Sequence, residues 1–215
     1  KSVCYLVSAL FVQICYGEIM KKLFTYLFLI FLSFQTFSFS EDVEDLEING
    51  VSIGESLLEY LSKEEIVNEI KSNKPDYNYL NNDFGEVYLR LSSDNYEYMS
   101  VFVKPNDKNY IIHYVSGTKV YNDKIQQCYQ KQKKIVSEFS ELFYNTKKQE
   151  GGGKYPWDTT GDSYTKYVQL IFESGNAITI TCAKFGKKAK IERNMDDALS
   201  VEISLKEVEN WLSNY

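Results

Sequence analysis

Apolar residues recur along this chain with two different periods, and the switches between them divide it into elements. In Phe84–Leu91, the residues Val87, Leu89 and Leu91 alternate with polar neighbours. Similar strand-like patterning marks Tyr96–Lys104, Asn109–Tyr121, Tyr164–Glu173, Asn176–Phe185 and Leu199–Leu205. Period two sends every second side chain to one face, so these runs predict half-buried strands. Ile125, Cys128, Tyr129, Ile135, Val136, Phe139, Leu142 and Phe143 recur instead at helical spacing, which predicts a long amphipathic helix over Asp123–Asn145. Glu55–Lys71 reads as helical, interrupted by a capping box in which Ser62 and Glu65 satisfy each other's backbone. A last helix starts at a second such box, Ser204-Leu205-Lys206-Glu207, and places Val208, Trp211 and Leu212 on one face. Val43–Ile53 reads as a first strand or extended arm.

Turn chemistry separates these elements. Lys74-Pro75-Asp76, Asn81-Asn82-Asp83, Pro105–Lys108 and Ser174-Gly175 are connecting turns. Gln149–Ser163, with three consecutive glycines and Pro156, reads as an irregular loop, and Gly186–Arg193 as a basic one. The order helix, three strands, helix, three strands, helix predicts an α+β fold. Its mainly antiparallel sheet has about six strands, with two or three helices packed on one face.

The N-terminal pattern changes where that domain is expected to work. Met20-Lys21-Lys22, the apolar run Leu23–Phe34 and the small residues Ser38 and Ser40 have the layout of a signal peptide cut after Ser40. Residues 20–40 are therefore expected to be removed. Lys1–Ile19, which precedes the first methionine, reads as an upstream extension, and Val3–Tyr16 is too short to span a hydrocarbon core of about 30 Å. Retention of Leu23–Phe39 as an anchor is the alternative. Cleavage leaves a single periplasmic domain, 41–215, with no stable membrane anchor.

Charge narrows the partners. The whole chain carries a net charge of −6. Removing Lys1, Lys21, Lys22 and Glu18 with the leader leaves 21 basic and 29 acidic residues. That balance opposes nucleic-acid binding, which needs clustered cations. The predominance of Lys over Arg, with abundant Asn, Ile, Tyr and Phe, matches A/T-rich coding, so the 18 tyrosines do not themselves indicate a binding platform.

Export also bears on the cysteines. Cys4 and Cys15 fall in the excluded segment, leaving Cys128 and Cys182. Cys128 lies on the apolar helical stripe and Cys182 continues the alternation of Ile178 and Ile180. Both point to the core between helix and sheet, and an isolated pair in an oxidising compartment is expected to bridge. Two buried free thiols are the alternative; a catalytic dithiol lacks its C-x-x-C.

Three segments invite chemistry. Gly50-Val51-Ser52-Ile53-Gly54 matches the G-x-S-x-G of a serine hydrolase, with His113, the only histidine, as base. The motif opens the domain rather than sitting mid-sheet, and a glycine turn capped by Ser52 or Ser56 explains it as well. Asp158-Thr159-Thr160-Gly161-Asp162 resembles part of a calcium loop but lacks the spaced ligands and closing Glu of an EF-hand. Beside it, Trp157, Asp158, Asp162 and Tyr164 form a candidate binding loop, in which Trp157 either contacts a ligand or plugs the end of the sheet. Lys184, Lys187, Lys188, Lys190 and Arg193 make the one basic cluster, either facing an anionic lipid or polymer or forming a charged hairpin tip. No zinc spacing, P-loop or cofactor motif is present, so neither metal nor cofactor is expected.

Leu46–Tyr60, read as Leu-Glu-Ile-Asn-Gly-Val-Ser-Ile-Gly-Glu-Ser-Leu-Leu-Glu-Tyr, follows directly on the Lys-Lys leader. Together with Cys128-Tyr129, Thr181-Cys182 and Glu207-Val208-Glu209-Asn210-Trp211-Leu212, it resembles uncharacterised small exported proteins of Pelagibacter-type marine bacteria. The resemblance covers most of the predicted mature chain. It implies a periplasmic protein, supports the cysteine pair and transfers no catalytic residue. The expectation is a binding or interaction module without catalysis, whose partner is an envelope protein or a small ligand.

Overall fold

The computed structural model of the protein describes residues 42–74, 80–90 and 95–213. The predicted extension Lys1–Ile19, the signal segment 20–40, Cys4, Cys15 and Pro75 lie outside the described residues.

Seven strands form one wholly antiparallel sheet, larger by one than the patterning suggests. They are β3 (Gly85–Leu89), β4 (Tyr98–Val103), β5 (Ile112–Val120), β6 (Lys147–Lys154), β7 (Tyr164–Ile171), β8 (Ala177–Lys184) and β9 (Ala198–Ser204), in spatial order β3-β4-β5-β9-β8-β7-β6. Val43–Ile53 is not one strand. It makes a 3-10 turn at Val43–Asp45 and a two-stranded ribbon, β1 (Glu47–Ile48) with β2 (Val51–Ser52). The helices are α1 (Lys63–Asn73), α2 (Ile125–Leu142), α3 (Lys187–Arg193) and α4 (Lys206–Ser213). None of the described helices is long and apolar enough to cross a membrane.

The expected box at α1 forms: Glu65 N–H donates to Ser62 Oγ, and Ser62 N–H to Glu65 Oε2 at 2.8 Å. The one expected at Ser204–Glu207 does not. Ser204 belongs to β9, Lys206 N–H donates instead to Asn176 Oδ1 at 3.0 Å, and Glu207 turns away to Lys104 and His113. A long-range amide thus replaces the local cap. The motif was misleading because strand pairing claimed Ser204 first.

The alternating apolar residues of the strands gather on one sheet face. Val87, Val101, Val115, Val201, Ile180 and Leu170 pack there beneath Ile66 of α1, Ile48 and Val51 of the ribbon, and Ile125 and Val136 of α2. The sulfurs of Cys128 and Cys182 meet at disulfide distance in this layer, with Cα atoms 6.0 Å apart. A second core occupies the opposite face, where Phe84, Phe102 and Tyr114 receive Val208 and Trp211 of α4. The helices therefore lie on both faces, not one. The cause is β4, buried at five consecutive positions from Met99 to Val103, so its Phe102 needs a cover of its own.

Gln149–Ser163 also departs from expectation, because its first part is strand β6, paired with β7 from Lys147↔Ile171 to Lys154↔Tyr164. Its glycines fit steric needs. A Cβ on Gly151 would lie 2.4 Å from the Tyr167 ring, and one on Gly152 (φ +152°) 2.2 Å from the Thr165 carbonyl oxygen. Around Gly153 there is open space. Gly152→Ala is expected to cost about 1–3 kcal/mol, whereas Gly153→Ala stays within about 0.5 kcal/mol of the parent. Urea unfolding of the two variants checks the contrast.

Gly186–Arg193, expected as a loop, is mostly helix α3. Asp197, 1% exposed, anchors it by accepting from Lys190 (2.8 Å) and from Phe185 N–H (3.0 Å).

Candidate binding groove at the open end of the sheet

The two ends of the sheet are finished differently. At β3, helix α1 packs alongside and Asn73 Nδ2 donates to the Glu86 carbonyl at 3.1 Å. At β6 no strand follows, so its outer edge carries no ladder among the described residues. Helix α2 packs on β8 and β9 rather than on the last hairpin. Between α2 and the β6–β7 hairpin the fold leaves an open groove of about 970 Å³.

Each wall has a distinct source. Helix α2 supplies Tyr129, Gln132, Lys133 and Val136; β6 supplies Lys148, Glu150, the three glycines and Lys154; β7 supplies Tyr164, Lys166 and Val168. Gln132 is buried at 6% exposure and fixes the floor, donating to the carbonyls of Lys166 (3.1 Å) and Ile180 (2.7 Å). The Tyr129 hydroxyl is buried with no hydrogen-bond partner in place. Burial, with the Tyr164 hydroxyl beside it, pushes this phenol well above its usual range, so it stays protonated and able to donate. Lys166 holds its ammonium 4.9 Å from the centre of the Tyr129 ring. Four lysines face a single glutamate, Glu150, which pairs with Lys148 at 2.9 Å. In a chain of net charge −6, this is a local reversal of sign.

Such a surface attracts anions and stacks or packs flat groups. Among the described residues, no three His, Cys, Asp or Glu converge as a metal set.

Of the candidate loop, only Tyr164 lines this groove. Trp157 stacks against Tyr155 (5.2 Å) and Phe185 (6.3 Å), with the Arg193 guanidinium 4.3 Å from its ring centre. That is the plugging arrangement. Asp158 accepts from Thr160 N–H (3.0 Å), Thr160 Oγ1 (2.6 Å) and Ser163 N–H (2.8 Å). These bonds hold its carboxyl well below the usual range and tie the loop to itself. Asp162 lies exposed behind it, its Cβ against Gly186.

The basic cluster does not form one patch. Lys190 turns inward to Asp123 (2.6 Å) and Asp197 (2.8 Å); burial would lower its pKa, but the two carboxylates outweigh it and raise it. Lys184 sits over the Tyr164 ring at 5.4 Å and Arg193 over Trp157. Lys187 and Lys188 are exposed, as is Arg193.

Ser52 and His113 are not brought together. Ser52 belongs to the ribbon over the first face, its N–H donating to Glu55 Oε2 at 3.0 Å. A bulge between Phe102 and Val103 of β4 leaves His113 of β5 without a register partner in β4, and its ring meets Phe84 edge-on at 5.5 Å. Its Nδ1 contacts Glu207, which also binds Lys104 at 2.7 Å. Burial lowers the histidine's pKa, against the pull of Glu207. For Glu207, burial pushes upward and is outweighed by Lys104 and His113, leaving the carboxyl below its usual range. Lys104 and Glu207 line a polar hollow of about 510 Å³ beside Trp211, with no serine in its lining.

Sequence reasoning passed over Lys133, Lys148, Lys154, Lys166 and Tyr129. The usable signal was there in period two: Lys148, Glu150, Gly152 and Lys154 share one face of β6, opposite Leu170, Val168, Lys166 and Tyr164. Compared with family models, with curated proteins and with solved structures, the chain matches none of them.

Proposed function

We propose that this chain is an exported, non-catalytic binding module of the cell envelope, and that the groove between α2 and the β6–β7 hairpin is its recognition surface. The observation that carries this reading is the groove's inverted charge, four lysines against one glutamate in an acidic chain. Its floor is tied by two hydrogen bonds from Gln132 and its rim is an open strand edge, the kind of surface on which extended partners are recognised. Export is supported by the leader-like pattern before Glu41, and the paired cysteines are compatible with it. A hydrolase built on Ser52 draws no such support, because Ser52 lies in the ribbon over one sheet face while His113 packs against Phe84 of the core on the other.

Two measurements test the two halves of the proposal. Expression of the whole chain in a Gram-negative host, followed by intact-mass analysis of the periplasmic fraction, is expected to give a chain starting at Glu41. Recovery only in the membrane with Leu23–Phe39 retained overturns the export half. Amide hydrogen exchange, run with and without an envelope extract, is expected to slow within Lys147–Lys154 and the facing side of α2. Slowing elsewhere, or none, overturns the groove.

A further inference from the structure

The groove's rim is a strand edge of unusual make-up. β6 runs for 8 residues, Lys147 to Lys154, and only its inner edge is paired, with β7. Along the face turned to the groove it presents Lys148, Glu150, Gly152 and Lys154, and β7 adds Lys166 beside Gly152. Three consecutive glycines leave the middle of this edge without side chains, so another backbone can approach closely.

A second copy of the chain is a poor occupant. Antiparallel pairing of two β6 strands about Gly151 sets Lys148 opposite Lys154 at both ends. Directly opposed like charges disfavour that pairing, so the lysines guard the edge against self-association. The same lysines favour a strand of opposite charge.

Building on the groove reading, we propose that β6 receives an extended acidic peptide segment as an eighth strand. The segment's alternate carboxylates point into the groove toward Lys148, Lys154, Lys166 and Lys133. Backbone pairing supplies affinity independent of sequence, and the lysines select for acidic side chains at every second position.

The probe is a fluorescein-labelled eight-residue peptide of alternating Glu and Val, titrated into the oxidised protein and followed by anisotropy. Its fully N-methylated form and a Lys-Val counterpart serve as controls. Binding of the Glu-Val peptide is expected to weaken at least tenfold on N-methylation and at least tenfold in Lys148→Glu/Lys154→Glu. It should also weaken as salt rises through screening. Both substituted lysines lie on the exposed edge strand, and unchanged circular dichroism and melting confirm that the variant folds. Equal binding of the N-methylated peptide, or of the Lys-Val peptide, overturns the proposal. If no peptide binds and inorganic pyrophosphate alone protects the groove's amides, strand addition falls while the groove reading stands. If neither peptide, pyrophosphate nor extract alters exchange there, both readings fall.

Discussion

Replacing Cys128 and Cys182 together by alanine is expected to lower the free energy of unfolding by about 4 kcal/mol. The two residues are separated by 54 positions, and a cross-link closing a loop of that size removes about this much chain entropy from the unfolded state. Both side chains are fully buried, so the lost sulfur contacts add to the cost rather than offset it. The layer between α2 and β8 should loosen first, because the pair joins those two elements. Urea unfolding of the oxidised parent, the reduced parent and the double variant measures the effect. The last two should both fall well below the first, with the double variant lowest because it also loses the buried sulfur contacts. A difference under about 1 kcal/mol would mean that the pair is not bridged in the protein.

The second large effect lies on the opposite face. Trp211→Ala is expected to cost about 3–5 kcal/mol, the usual range for emptying a buried tryptophan site. Trp211 is 4% exposed, with ring centres 5.4 Å from Phe84 and 5.6 Å from Phe102. Its Nε1–H also donates to Asn81 Oδ1 at 2.8 Å, tying α4 to the turn before β3. Trp211→Phe should keep most of the packing and lose the hydrogen bond, costing about 1–2 kcal/mol. Thermal unfolding separates the two variants: at about 2–4 °C per kcal/mol, the alanine melts roughly ten degrees below the parent. Equal melting of Trp211→Ala and the parent would show that α4 does not pack on that face.

These two sites also mark what was legible in the chain. The cysteine pair could be read because two periods intersect there, a helical stripe through Cys128 and an alternation through Cys182, and each alone points to the core. The stripe of Val208 and Trp211 was equally readable as a helix face. Its destination was not. The receiving residues Phe102 and Tyr114 belong to strands whose other face is also buried, so the helix's own pattern is the same whichever face it covers. Strand β6 was hidden for a different reason. Its residues are almost all exposed, so no burial rhythm exists to detect, and Gly151–Gly153 disfavour a strand by local propensity. Pairing with β7 overrides that preference. Lys190 was assigned to a solvated cluster because charge runs usually face water, whereas a buried Asp197, far less conspicuous in the sequence, turns it inward.

The pairing of Cys128 with Cys182 has a consequence for how the chain tolerates cutting. The loop from Tyr155 to Ser163 lies between the two cysteines in sequence, and so does the whole β6–β7 hairpin. A peptide bond hydrolysed in that loop adds one water to the mass and releases no fragment, because both pieces remain one covalent molecule through the sulfurs. The new chain ends stay aligned by the ladder from Lys147↔Ile171 to Lys154↔Tyr164. A nicked molecule would therefore keep its open edge in place, and only reduction would let the two halves part.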